Sequence, residues 1–288
     1  MALNMVSAFE NDPPEIDFIW PGFRAGSVGS LIGPGGAGKS FWALQAAMAV
    51  ACGAEGDLVG VKPRHTGKVV YISCEDPEII LIHRVHAIGK FLSPLAREII
   101  AENMLIEPIM GRRFNIMNDY DLAWLIDYSK DARLIVLDTL SRIHTLDEND
   151  NSHMANVVNA LECVTTQTGA AVLFLHHVNK SSVRDGQADQ QQAARGASVL
   201  TYNARWTGFI SRMTEEESKR LSDQSFSRRP IGSEGKRFFV RFGVSKHNYG
   251  IDLPECWYER KEGGVLIPVK LYEASSGKRG SKDDREKV

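Results

Sequence analysis

Gly33–Ser40 reads GPGGAGKS, and these eight residues decide the fold. They match G-x-x-x-x-G-K-[ST], a pattern whose backbone N–H groups wrap phosphates at the start of a helix. A β-branched and apolar run, Ser27–Ile32, precedes the motif and is predicted to be a strand. Lys39–Ala51 follows it, rich in Ala, Leu and Met, and is predicted to be a helix. A strand, a glycine loop and a helix in that order separate a phosphate cradle from a plain glycine-rich turn. The cradle is expected to comprise Gly33, Pro34, Gly35, Gly36, Ala37, Gly38, Lys39, Ser40 and Phe41. Lys39 is assigned to the β- and γ-phosphates of ATP, and Ser40 to Mg²⁺.

Working outward, three further buried strands end in chemistry. Leu134–Asp138 reads LIVLD, which puts a carboxylate at the C-terminal end of a strand, where α/β sheets bind ligands. Asp138 is therefore expected to serve the Mg²⁺ shell. Val69–Asp76 reads VVYISCED. No Glu follows Asp138 directly, so the acid that prepares the attacking water must come from elsewhere, and Glu75 is the best placed. Asp76 is read as the N-cap of a helix over Pro77–Phe91. Ala171–Asn179 reads AVLFLHHVN: His177 is expected to sense the γ-phosphate, and His176 to be satisfied by local backbone groups.

The same alternation continues with strands at Lys68–Ser73 and Met104–Ile106 and helices at Tyr120–Ser129 and Met154–Thr168. It predicts an α/β domain whose mainly parallel central sheet is flanked by helices. Val178–Arg195 is polar, glutamine-rich and long, which marks a functional or disordered loop. A short helix, Ala197–Asn203, and strands at Trp206–Ile210, Phe238–Ser245 and Val265–Ile267 complete the body, and Lys219–Lys236 is read as a surface loop. The expected divisions are an N-terminal arm over residues 1–20, the ATPase body over 21–274, and a disordered tail over 275–288.

Composition excludes several classes. The 288 residues are 43% hydrophobic and 24% charged, with a net charge of −2, so a globally basic nucleic-acid binder is excluded. No apolar run is long enough for a membrane span, and no secretory signal opens the chain, so a cytoplasmic location is expected. Cys52, Cys74, Cys163 and Cys256 form no CxxC pair and are read as buried or half-buried reduced thiols. Arg205, between a helix and a strand, and Lys246, at the end of another, are ordinary surface cations or the cations that an isolated P-loop lacks beyond its γ-phosphate.

Taken together, ISCED, LIVLDTLSR, LFLHHVNK, the DQQQAARGAS segment, NARW and FFVRFGVSKHNYG resemble the RecA-like P-loop ATPases. More narrowly they resemble the RepA-type hexameric replicative helicases of broad-host-range plasmids. The resemblance spans about Phe18 to Ile267. It implies a superfamily 4 motor, a homo-hexameric ring with ATP sites between neighbours. In that frame Lys39 and Ser40 are the Walker A residues, Asp138 the Walker B acid, Glu75 the catalytic glutamate and His177 the polar sensor. Arg205 matches the arginine finger, and Lys246 a second cation reaching across the interface. Val178–Arg195 corresponds to the loop that touches DNA, with Lys180, Arg184 and Arg195 set against Asp185 and Asp189.

The function expected on these grounds is ATP-dependent translocation on single-stranded DNA, with helicase activity in plasmid or mobile-element replication. Two alternatives use the same motifs. One is a DNA-dependent ATPase in recombination or regulation that unwinds nothing; the other is a switch ATPase directed at a protein partner.

Overall fold

The computed structural model describes residues 2–178, 200, 203–249 and 254–275. Short apolar β-branched runs build its centre. Val28–Gly33 (β3), Val69–Ser73 (β4), Leu134–Asp138 (β6) and most of Ala171–His177 (β7) are buried throughout, as strands covered on both faces must be. Before them come a short helix, Met5–Glu10 (α1), and a hairpin of Phe18–Trp20 (β1) with Phe23–Arg24 (β2). Ile19 and Trp20 are buried in the main core, so the expected boundary at Trp20 falls inside this hairpin.

A nine-stranded sheet runs through the body in the order β12-β11-β10-β8-β3-β7-β6-β4-β5. Here β5 is Met104–Pro108, β8 Trp206–Arg212, β10 Phe239–His247, β11 Cys256–Arg260 and β12 Leu266–Val269. The six strands from β8 to β5 are parallel, while β10, β11 and β12 add an antiparallel extension beyond β8. The sheet is therefore mixed. β11 has no counterpart in the sequence reading, because CWYER has neither an apolar run nor strict alternation.

Alternate residues of each parallel strand feed two cores. Leu31, Tyr71, Val136 and Leu173 face Lys39–Cys52 (α2). Val70, Ile72, Ile135 and Val172 lie in the other core with Asp119–Tyr128 (α5) and Asn151–Thr168 (α6). Asp150 caps α6 by accepting from the N–H groups of Ser152 and His153. Between β4 and β5 run two helices, Glu78–Gly89 (α3) and Pro94–Asn103 (α4). α4 has no counterpart in the sequence reading; Ser93 is its N-cap and Pro94 its first residue, the arrangement that starts helices.

Gln45, fully buried in α2, clamps the extension in place. Its amide nitrogen donates to the Leu266 carbonyl at 2.8 Å, and its oxygen accepts from the Leu266 N–H at 2.9 Å. Trp42 stacks on Phe242 of β10 with ring centroids 4.3 Å apart. These contacts bring the end of β11 against the glycine loop.

Lys219–Lys236 is more than a surface loop. Glu215–Arg220 (α7) opens with a Thr214–Glu217 capping box, and Leu221–Ser222 (β9) pairs with Tyr272–Glu273 (β13). The helix expected at Ala197–Asn203 lies largely outside the described residues, and so does the tail beyond Ser275.

Candidate nucleotide site

β3 lies between β7 and β8, and its C-terminal end opens directly into GPGGAGKS. Two glycines are required by the geometry. Gly38, the N-cap of α2, has φ of 108°, a left-handed conformation that side chains disfavour. A Cβ on Gly33 would lie 2.3 Å from the Ile210 carbonyl oxygen, a main-chain atom that cannot step aside. The loop thus feeds the N-terminus of α2, where free N–H groups and the helix dipole favour phosphate.

Lys39 is buried, and its ammonium donates to the carbonyls of Gly33 at 2.8 Å and Pro34 at 3.1 Å. It also lies 3.0 Å from Nδ1 of His177. Burial lowers its pKa from 10.5 to about 8, against the pull of the Asp138 and Glu75 carboxylates, and Arg212 adds to the lowering. His177 links the lysine to the acid, since its Nε2 stands 3.6 Å from Oε2 of Glu75. The other Glu75 oxygen is 3.8 Å from Nε of Arg142. Lys39, His177 and Glu75, read from three separate motifs, are thus brought together.

Asp138 is 3% exposed. Burial raises its pKa, and hydrogen bonds from Tyr71 and Ser40 pull the other way. The Tyr71 hydroxyl donates to its Oδ2 at 2.7 Å. Ser40 and Asp138 therefore converge as a hydroxyl and a carboxylate beside the P-loop, the hard oxygen donors that suit Mg²⁺. The residues present fit a nucleotide triphosphate with that ion. Phe41, half-buried, carries the Arg84 guanidinium 5.4 Å from its ring centroid.

Two expectations need correction. Asp76 is not a helix cap: α3 begins at Glu78, Pro77 is its N-cap without a side-chain bond, and Asp76 pairs with Arg84 at 2.7 Å. His176 is not satisfied by the backbone, for its buried Nδ1 has no hydrogen-bond partner. Burial, with His177, Lys39 and His144 nearby, pushes its pKa down to about 4 and keeps it neutral. Among the thiols, Cys256 is exposed rather than buried.

Arg205 and Lys246 do not join this cluster. The Arg205 N–H donates to Val28 at the start of β3, and Lys246 pairs in register with Thr207. Both stand at the opposite end of the sheet, about 17 Å from the P-loop at 3.3 Å of strand rise per residue. They adjoin each other, because Arg205 helps to depress the Lys246 pKa after burial. Lys180, Arg184 and Arg195 lie outside the described residues.

Two cations that the sequence reading missed touch the loop within the same chain. Arg212, the last residue of β8, donates to the Gly35 carbonyl at 2.8 Å. Arg260, ending β11, donates to Ala37 at 3.1 Å. No local signal announces either one, since each reaches the loop only through the order of strands.

Comparison with known proteins agrees with this geometry. The family model described as an AAA domain matches residues 2–183, more than half of the chain. A crystal structure of the RadB recombinase superposes with a TM-score of 0.52 at 13% identity, covering 85% of this chain and 92% of that one. A solved helicase ATPase domain gives a TM-score of 0.54 at 13% identity, with 85% of each chain covered. The fold is that of the RecA-like P-loop ATPases.

Proposed function

The chain belongs to the AAA domain family, and on that premise we propose that it is an ATP-driven translocase on single-stranded DNA. In this reading it is a helicase that works as a ring of six copies in plasmid or mobile-element replication. One observation carries it: Arg205 and Lys246 stand together at the end of the sheet remote from their own P-loop. Cations so placed can serve a triphosphate only on a neighbouring copy, which makes each site a shared one.

Within that site the P-loop N–H groups and Lys39 hold the β- and γ-phosphates of ATP. Ser40 and Asp138 would hold Mg²⁺, which neutralises charge on the phosphate oxygens. Glu75 takes a proton from water as its oxygen bonds to the γ-phosphorus and the bond to the bridging oxygen breaks, leaving ADP and phosphate. His177, between Lys39 and Glu75, registers the loss of the γ-phosphate at the mouth of the Val178–Arg195 loop. Lys180, Arg184 and Arg195 are the proposed strand contacts, tracking phosphates without reading bases.

ATP turnover with and without single-stranded DNA, run beside a sizing measurement, tests the reading. Turnover indifferent to DNA, or a monomer that stays fully active, overturns it. Stimulation by DNA without displacement of a paired strand leaves the ATPase and removes the helicase.

A further inference from the structure

A second cavity, of about 300 Å³, lies beside the nucleotide site at the ends of β4, β5 and β6. Glu75 forms part of its wall, together with Cys74, Met110, Arg112 and Arg142. We propose that this cavity receives a backbone phosphate of the nucleic-acid strand, and that the phosphate displaces Glu75 from Arg142 and so frees the acid for hydrolysis. The proposal rests on the DNA-dependent reading above. It concerns a site distinct from the Val178–Arg195 loop, built wholly of described residues.

The cavity is stiff. Cys74 N–H donates to Asp138 at 2.7 Å, Ile109 N–H to Ser73 at 2.8 Å, and Ile116 N–H to Ile143 at 2.8 Å. These bonds stitch the β4 and β5 ends and the segment after β6 into one frame, so the arginines are held by backbone.

Its charge suits an anion. Arg112 lies with its guanidinium 4.4 Å from the Trp124 ring centroid, and Trp124 stacks in turn on Tyr128. A guanidinium lying against an indole face keeps its N–H edges for a phosphate fork. Arg113, exposed, is next in sequence. Three arginines thus stand on or beside a cavity whose acid is Glu75.

Arg142 supplies the link to catalysis. Its pairing with Glu75 is long, at 3.8 Å, and its side chain is 65% exposed. So exposed a pair contributes little, and a polyanion competes with it readily. The opposite carboxylate oxygen faces His177 at 3.6 Å. Release from Arg142 therefore leaves Glu75 on the side of Lys39 and the P-loop. A strand in the cavity and a competent acid become one event.

The test uses the full chain with a labelled single-stranded oligonucleotide, read by DNA affinity and ATP turnover. Arg112→Gln is expected to keep wild-type turnover without DNA. It should raise the half-stimulating DNA concentration about tenfold and reduce the salt slope of binding by about one. Arg142→Gln should raise turnover without DNA several-fold and shrink the further gain from DNA, with Arg142→Lys restoring wild-type behaviour. A fold-independent readout is Trp124 emission, which DNA should change in wild type but not in Trp124→Phe. Inorganic phosphate should fail to produce that change; if it does so as well as DNA, the site takes free phosphate and the proposal fails. Wild-type stimulation in both arginine variants overturns this proposal alone. A wild-type chain that neither binds nor responds to DNA overturns it together with the reading it rests on.

Discussion

Tyr71 donates its hydroxyl proton to Oδ2 of Asp138 at 2.7 Å, so a neighbouring strand holds the acid assigned to Mg²⁺. The register explains the contact. Ser73 pairs with Asp138, and Tyr71, two residues earlier, points to the same face of the sheet. Partners of this kind typically tune metal affinity by about 10–100-fold. Tyr71→Phe is therefore expected to raise the Mg²⁺ concentration for half-maximal turnover by about tenfold. The Asp138 pKa should also climb, since the lost bond was lowering it. A magnesium titration of ATP turnover checks this, and an unchanged midpoint rejects it.

Lys39 gives a pH prediction. Its pKa is lowered to about 8, so the free protein loses that charge above this pH while a bound triphosphate restores it. ATP affinity should then fall above pH 8 by up to about tenfold per unit, with uptake of a proton on binding. Lys39→Ala should remove both the slope and hydrolysis. The same depression makes the buried ammonium a cost to the fold. The sign follows from the two pKa values: between about 8 and 10.5 the unfolded chain holds the proton more tightly, so stability rises with pH across that window. Calorimetry in buffers of different ionisation heat measures the proton uptake.

Glu75→Gln should retain ATP binding and lose turnover by roughly 100-fold or more, because glutamine cannot accept a proton. Asp76→Asn should be much milder in catalysis, since Asp76 is occupied by Arg84 at 2.7 Å. Single-turnover kinetics on both variants decide between the acids; the larger loss in Asp76→Asn would reverse the assignment.

Arg205→Ala should leave nucleotide affinity largely intact and cripple hydrolysis, because its effect belongs to the transition state of a neighbour's site. Mixing Arg205→Ala with Lys39→Ala subunits should recover turnover above either variant alone, wherever an intact Arg205 meets an intact P-loop. A mixture that never exceeds its components argues against sharing.

The parts of the site that can be read from the sequence are those carried by single strands. GPGGAGKS, LIVLD, VVYISCED and LFLHHVN each join a buried run to a polar end, and the parallel sheet gathers those ends along one edge. What escapes depends on relations between strands. Arg212 meets Gly35 because β8 lies beside β3, and Arg260 meets Ala37 because Gln45 clamps the extension to α2. Asp76 reads as a cap because an acid before Pro77 suits one, but its salt bridge to Arg84, in the second turn of α3, holds it elsewhere.

β8 carries a cation at each end. Arg212 grips the P-loop of its own chain, and Arg205, one residue before the strand, stands at the far edge of the sheet. A strand paired on both sides bends little, so the two guanidinium groups move as the ends of one rod. In a head-to-tail ring, any shift of the glycine loop as its phosphates leave would be handed on to the next site around the circle. Firing order would then be written into a single strand, and a glycine placed within β8 should leave each site working while the copies lose step.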